Sequence, residues 1–600
     1  PGVIVVTDAG AAPDAAAGDG VCDTGDGVCT LRAAIETANA VAGSDTIEFD
    51  IPDAGPHLIT EPTGLPPITE TVTIDGFTQA GSAANTNPAG STNAVAQIQL
   101  VGDGAFSGEY GIDLSGSTGS VVRGLAIGSF EAAIKAGPQS VIAGNYIGSV
   151  GGLVERSNNY GVLIEGVDQV DVGGISPADR NVISGNRFGV YVTRDADDND
   201  IINNLIGTDR FGATAVPNEF GILLYPAEFG AVDNEIRNNN RIGNGFLSGR
   251  NIVSGNLLEG ISLWGNTDGT VIQNNFIGVA SNGSTPLGNS QAGPDTGVVN
   301  GSGGFNWGGI VLRNGASNTT IGGLGDDGNI IANNNNGVVI FSGAGNRVAG
   351  SNSIRDNVDR GIWLAGAEIN DPGDGDEVAN RGQNYPVVTS ARIEGGNAIV
   401  DFSIDTADLG AYPMQIEVFE ADSGASGEGE RFIRRYEVTG PGSYTRNMGV
   451  AGGLSIVDGD PIVATATDAA GNTSSFSSVA VVGGGDALVG ASAGDRLGSA
   501  VSIDGNRMAV SAPFADVGEA NAGVVYVYDR ADAVSPWVLT ATIVSPEPEL
   551  DGRFGDSLDL RGDLIAISES DRLGDEAEAG VVWAFSFNGF TWDPLGETLQ

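Results

Sequence analysis

The phrase "RNVISGNRFGVYV" at 180–192 returns as "RNIVSGNLLEGISL" at 250–263, with Arg180-Asn181 and Gly185-Asn186 matched by Arg250-Asn251 and Gly255-Asn256. Variants of this apolar, Gly-Asn, apolar phrase recur from about residue 65 to 385, among them "SVIAGNYIG" at 140, "TVIQNNFIG" at 270 and "NSIRDNVDRGIWL" at 352. Several neighbouring copies lie about 18 to 23 residues apart, the span of one coil in a β-solenoid. In such a coil a strand of three or four residues points its apolar side chains inward. Gly and Asn then turn the corner, because both tolerate the left-handed backbone a corner needs, and stacked Asn side chains can pass hydrogen bonds from coil to coil. Roughly a dozen coils fit in this region. An antiparallel sandwich would require hairpin signals between strands of five or six residues; here the strands are shorter and the corners more regular. Glycine at 95 of 600 residues and aromatics at 6% suit turn-rich β architecture better than helical bundles.

One segment reads differently. "TLRAAIETANAVAG" at 30–43 predicts a helix with Thr30 as N-cap, Leu31, Ala34, Ile35 and Ala38 on one face and Gly43 as the stop. Its place is over the open first coil, where unpaired backbone would invite aggregation. Just before it stand Cys22 and Cys29, the only cysteines. Two are too few for a structural zinc site and no CxxC spacing exists, so a local disulfide is expected, which favours an oxidising compartment outside the cytoplasm.

"CTLRAAI" followed by "ANA" resembles the N-terminal CSLREA module of large exported bacterial proteins. "LPPITETVTIDGFTQAG", "IGTDRFGATAVPNEFGILL" and "NDPGDGDEVANRGQNYPVV" resemble phrases of the right-handed parallel β-helix that follows that module. The resemblance spans roughly 1 to 390 and implies a pectin-lyase-like superfold; Ala33 stands where the module usually has Glu. After residue 386 longer alternating strands appear, and "ATDAAGNTSSFS" is similar to the last strands of bacterial immunoglobulin-like modules, with a spacer or cap as its expected role. From 486 a gapless repeat begins: "RLGSAVSIDGNRMAVSA" at 496–512 returns 57 residues later as "RFGDSLDLRGDLIAISE", and "AGVVYV" as "AGVVWA". This resembles the FG-GAP blade of integrin-type β-propellers. Two blades do not close a ring, so the chain is expected to be an N-terminal piece of a larger protein.

The expected organisation is all-β: a CSLREA-like module with capping helix over 1–43, the β-helix over 44–385, an immunoglobulin-like sandwich over 386–484 and two blades over 485–600.

Charge narrows the partners. The formal net charge is −49 and Lys135 is the only lysine, which excludes nucleic acid and anionic membrane, whose binding relies on cationic groups. No stretch approaches the roughly 20 apolar residues that span a bilayer. The chain carries no leader and is read as an exported bacterial protein, extracellular or on the cell surface, with a signal peptide removed or left out.

Catalytic patterns are thin. Pectin-hydrolase-like enzymes combine Asn-Thr-Asp, an Asp pair, Gly-His-Gly and Arg-Ile-Lys. Here Asn266-Thr267-Asp268 stands alone, the single histidine is His57 far upstream, and no Arg-Ile-Lys exists. Lyase chemistry needs cations opposite a sugar carboxylate, for which Lys135, Arg180, Arg187, Arg194, Arg237, Arg241 and Arg250 are the candidates. "GASAG" at 490–494 fits G-x-S-x-G, but no strand-to-helix turn and no later His accompany Ser492. For calcium, "NDPGDGDE" groups Asp371, Asp374, Asp376 and Glu377 among glycines that let the backbone curl around a hard cation. "RDADDND", with Asp195, Asp197, Asp198 and Asp200, is the second candidate. The resulting expectation is a monomeric scaffold that displays surfaces for polysaccharides or surface proteins, with no catalytic residue assigned. The rival is a polysaccharide lyase or hydrolase acting in the solenoid groove.

Overall fold

The computed structural model describes residues 2–88, 90–148, 157–225, 237–290, 308–367, 370–374, 378–422, 427–483, 494–530, 537–570 and 580–595. The chain divides into two compact units. The first holds residues 1–388 with 401–448 and 460–480, the second residues 389–400 with 449–459 and 481–600.

In the first unit, each coil contributes one strand in turn to three parallel sheets of 11, 10 and 9 strands among the described residues. One complete turn is Val121–Arg123, Leu125–Gly128 and Ala132–Lys135, after which Val141–Ala143 returns to pair with the first strand. This is the parallel β-helix expected from the repeat. Strand Val3–Val6 pairs in parallel with Asp45–Phe49, so the residues ahead of 44 supply the first rung of the same sheet.

The interior is built from the apolar residues of the phrase. Ile142, Val172, Ile201, Ile242, Ile272 and Ile321 stack down the first sheet, fully buried. They belong to one core cluster that runs from Val6 to Ala379. Each such side chain contributes about 1.5–3 kcal/mol of burial.

Polar corners are made safe by asparagine. At the corner between first and second sheets, Asn181 Nδ2 donates to Asn204 Oδ1 at 2.9 Å, Asn251 to Asn275 at 2.9 Å, Asn275 to Asn329 at 3.0 Å and Asn329 to Asn352 at 2.9 Å. A second ladder, between second and third sheets, runs through Asn158, Asn186, Asn218, Asn256, Asn289, Asn334 and Asn357. Each buried amide also donates to a backbone carbonyl or receives a backbone N–H, which meets the requirement that buried polar groups be paired. Asn203 and Asn274, which precede two of the rungs, adopt φ of 61° and 54°, the left-handed conformation that asparagine tolerates.

Both ends are covered. Leu31–Ala40 is helical, Thr30 Oγ1 accepts from Ala33 N at 3.1 Å, and Leu31, Ala34, Ile35 and Ala38 are buried, as the apolar face predicts. The helix stops three residues before Gly43, at an extended Val41. Ala33 is fully buried. Cys22 and Cys29 form the expected disulfide.

At the far end the strands Met414–Ala421, Gly429–Val438 and Pro461–Thr467 form an antiparallel sheet. The loop after the last of these strands and the turn beside Gly429 close the last coil. Asn472 Oδ1 accepts from Gly345 N at 2.6 Å and Thr473 Oγ1 from Val348 N at 3.0 Å, in the places where another coil would pair. Glu428 ends the second asparagine ladder: its Oε2 accepts from Asn357 N at 2.9 Å and Asn357 Nδ2 at 3.1 Å. These residues cover the end of the last coil.

In the second unit, strands 501–504, 507–512, 524–529 and 538–544 form one antiparallel sheet, and 554–561, 564–569, 581–587 and 592–594 a second. The 57-residue repeat is reproduced down to the left-handed backbone of Arg496 and Arg553, each with φ of 54°. Among the described residues no helix is long and apolar enough to cross a membrane.

Candidate functional site

The three outer faces of the β-helix differ. The second sheet's outer face, with Tyr146, Val182, Leu205, Ile252 and Phe276, is packed against Ala94 and Ala96. Arg180 secures the loop carrying those alanines: its Nη1 donates to Ser91 O at 2.5 Å and Asn87 O at 3.0 Å, and its Nε to Asn203 Oδ1 at 2.9 Å. Burial pulls the Arg180 pKa down to about 10. Arg250 is held similarly, donating to Asn274 and lying 4.0 Å from the Phe276 ring centre. These two arginines of the repeated phrase are therefore structural.

The first sheet's outer face is polar in its middle coils. Asp171, Asp200 and Arg241 occupy one column on successive coils, and the Arg241 Nε donates to Asp200 at 2.9 Å. Burial, then the neighbouring Asp200 charge, raises the Asp171 pKa above the usual carboxylate value.

The third sheet's outer face carries a row of aromatic rings. Register sets it: Tyr160, Phe188 and Phe220 are paired on successive coils, and Trp264 is paired with Arg313. Ring centres are 5.4 Å apart for Tyr160 and Phe188, 5.6 Å for Phe188 and Phe220, 5.0 Å for Tyr160 and Tyr191, 6.4 Å for Tyr191 and Tyr225, and 5.0 Å for Tyr225 and Trp264. Arg313 then bridges Trp264 at 5.0 Å to Phe341 at 4.7 Å, and Phe341 meets Trp363 at 5.4 Å. Tyr160, Tyr191, Phe220, Trp264, Phe341 and Trp363 are half-buried, while Phe188 and Tyr225 are buried among their neighbours. Such spacings are those of offset-stacked and tilted pairs.

Charges flank the row in pairs. Lys135 Nζ lies 2.9 Å from Glu165 Oε2 and 5.0 Å from the Tyr110 ring centre, and Arg194 approaches the other Glu165 oxygen at 3.3 Å. Burial works against the Lys135 charge, but the Glu165 hydrogen bond together with the charges of Glu165, Tyr110 and Asp113 outweighs it and its pKa rises. Arg187 pairs with Glu219 at 3.3 Å. Arg313 pairs with buried Glu259, whose pKa is raised by burial against the pull of Arg313 and Ser262.

Apart from Arg237, the cations considered for lyase chemistry are thus spread over three faces, each with a protein partner. The Arg237 side chain lies outside the described residues. His57, on the second sheet's first strand and 3.3 Å from Gln79 Nε2, lies many coils before Thr267–Asp268, whose Asp268 accepts from Asn318 at 2.6 Å. Ser492 lies outside the described residues.

The acidic clusters are tied into loops. Asp374 accepts from Asn384 N at 3.0 Å, Thr406 Oγ1 at 3.0 Å and Gln383 Nε2 at 3.2 Å, and Asp371 N donates to Asn384 Oδ1 at 3.1 Å. Asp376 and Glu377 lie outside the described residues. Asp197 accepts from Asn238 N at 2.5 Å, Asp200 is taken by Arg241, and Asp198 has a left-handed φ of 54°. Among the described residues no group of three or more His, Cys, Asp or Glu is placed to hold a metal ion.

Residues 490–528 match the family model described as FG-GAP repeat. No curated protein matches the chain. Among solved structures, two mutant forms of the tailspike protein of E. coli bacteriophage HK620 are similar. One is 11% identical, with 72% of this chain and 91% of that chain covered and a TM-score of 0.25; the other is 12% identical, with 72% and 92% covered and a TM-score of 0.20.

The ring row was not legible beforehand. Its members are scattered singly through the repeats, and only coil register brings them together.

Proposed function

We propose that this chain is an exported bacterial scaffold, secreted or on the cell surface, whose third-sheet aromatic row binds neutral glycan chains without catalysis. The observation that supports this is the row itself, from Tyr160 to Trp363, in which half-buried rings repeat with the coils, about 4.8 Å per step. Flat apolar rings bearing a phenol or indole N–H suit a ligand with both C–H faces and hydroxyls. The net charge of −49 disfavours an acidic polymer, and the cations near the row are already paired. In this reading residues 1–43 are a CSLREA-like module, 386–484 an immunoglobulin-like cap and 485–600 blades of an FG-GAP propeller. The test is retention of the full chain on immobilised neutral and acidic polysaccharides. Trp264→Ala and Tyr191→Ala are each expected to weaken retention several-fold, since a stacking pair contributes about 0.5–1.5 kcal/mol beyond area burial.

One observation favours a second reading. Asp171, with its raised pKa, stands one coil from Asp200, and two neighbouring carboxyl groups are what glycoside hydrolysis uses. New reducing ends, abolished by Asp171→Asn, would support it.

A further inference from the structure

The chain contains the Asp–Pro bonds Asp371–Pro372, Asp460–Pro461 and Asp593–Pro594. Such a bond is chemically weak, because the aspartate carboxyl reaches its own main-chain carbonyl carbon and the proline nitrogen belongs to a tertiary amide. The first of the three is held in a specific way. Asp371, Pro372, Gly373 and Asp374 form a turn in which Asp374 N donates to Asp371 O at 3.4 Å and Gly373 has φ of 81°. Proline and glycine at the two central positions are the composition of a type II turn.

Buried Asn384 adds a second donor. Its Nδ2 donates to the same Asp371 O at 2.8 Å, and its Oδ1 accepts from Asp371 N at 3.1 Å. Asp405 Oδ1 takes the other Nδ2 hydrogen at 3.1 Å, so the amide has one orientation that satisfies all three bonds. Asn384 N donates in turn to Asp374 Oδ1 at 3.0 Å. One residue earlier, Asn370 Nδ2 donates to Tyr385 O at 2.8 Å and Asn370 Oδ1 accepts from Tyr385 N at 2.9 Å. The main chain is therefore clamped on both sides of the Asp371 Cα, while Pro372 is exposed to water.

Two N–H donors converging on one carbonyl oxygen stabilise the negative charge that develops there when the carbonyl carbon is attacked. We propose that the chain cuts itself between Asp371 and Pro372. An oxygen of the un-ionised Asp371 carboxyl adds to the Asp371 main-chain carbonyl carbon, forming a C–O bond, and Asn384 Nδ2 and Asp374 N carry the charge on the carbonyl oxygen. The C–N bond to Pro372 then breaks, its electron pair leaves on the proline nitrogen, and that nitrogen takes the carboxyl proton. One water molecule opens the cyclic anhydride, which leaves Asp371 as a carboxyl terminus with its side chain restored. Attack within one residue gains from reacting groups already held together. The pieces stay associated, because residues beyond Pro372 cover the last coil through Asn472, Thr473 and Glu428. The cut replaces a covalent link at the end of the solenoid by contacts that can be released.

The test is mass spectrometry of the full chain, sampled over time while folded and again in urea. In the folded chain Asp371–Pro372 is expected to cleave about 10²-fold faster than Asp460–Pro461 and Asp593–Pro594, and in urea the three are expected to cleave alike. Asp371→Ala removes the nucleophile and Asp371→Glu moves it one carbon away, so both are expected to stay intact at this bond. Asn384→Ala is expected to slow cleavage about 10²-fold, with a thermal melt to show that it folds. The comparison of folded chain with urea needs no variant and decides the matter if Asn384→Ala unfolds. A folded wild type whose Asp371–Pro372 bond lasts as long as the other two would overturn the proposal. So would an Asp371→Glu or a folded Asn384→Ala variant that cleaves as fast as wild type.

Discussion

Replacing Glu428 by Gln is expected to remove a pH-dependent weakness at the capped end of the β-helix. Every other rung of the second ladder is an amide, but the last is the Glu428 carboxyl, fully buried, accepting from Asn357 through Oε2 while Oε1 has no hydrogen-bond partner. Burial first, then the charges of Asp422 and Asp356, raise its pKa from 4.5 to about 8 against the pull of the Asn357 bonds. Asp422 and Asp356 stand beside it from the cap and the last coil, with Arg355 paired to Asp356 and facing Glu430. The folded state therefore keeps a proton that the unfolded chain gives up above 4.5. Stability is fully present below pH 4.5 and falls as pH rises to about 8, after which it is flat. Each pH unit of that window removes about 1.4 kcal/mol, so the whole window removes roughly 5 kcal/mol. Gln keeps the acceptor for Asn357 and does not titrate, but it places an Nε2 donor where Oε1 now stands alone, at about 1 kcal/mol. Calorimetric melts at pH 5, 7 and 8.5 should show the variant slightly less stable than wild type in acid and about 2–4 kcal/mol more stable at pH 8.5. Hydrogen exchange in the peptide holding Asn357 should slow in the variant at the alkaline end. Parallel stability curves for the two proteins would refute the reasoning.

Asn251→Ala breaks the first ladder mid-solenoid, leaving Asn204 N and Nδ2 without their acceptor and Asn275 Oδ1 without the amide that donates to it. A loss of about 2–4 kcal/mol is expected in denaturant titration, and far less from a surface change such as Asn282→Ala. Ile35→Ala in the capping helix is expected to cost about 2–5 kcal/mol and to raise aggregation on heating, followed by light scattering, because the first coil loses part of its cover. Reduction of Cys22–Cys29, or Cys22→Ser with Cys29→Ser, is expected to lower stability by about 2–3 kcal/mol in melts with and without reductant. Calcium binding at Asp371, Asp374, Asp376 and Glu377 is tested by melting with calcium or chelator: a rise removed by Asp376→Asn supports it, and no rise ends it.

The solenoid was legible because each coil repeats one physical solution, apolar strand then Asn or Gly corner, and a period of about 20 residues survives variation at single positions. The capping helix was equally legible from Thr30 and the spacing of Leu31, Ala34, Ile35 and Ala38. What could not be read is what lies between coils. Tyr191, Tyr225 and Trp264 are far apart in sequence and meet only through parallel register, while coil lengths vary too much to fix that register from the chain alone. The same holds for Arg180 and Arg250, which looked like candidate sugar-carboxylate ligands until the loop at 85–93 and Asn274 were seen to occupy them. Glu428 replaces an asparagine rung from outside the repeat, so no repeat pattern could flag it.

The most direct test of glycan binding without catalysis is incubation of the full chain with neutral and acidic polysaccharides, following retention and new reducing ends in the same samples. Retention on a neutral polymer, lost in Trp264→Ala and without product, is the result this account predicts; product formation, or no retention on any neutral polymer, would contradict it.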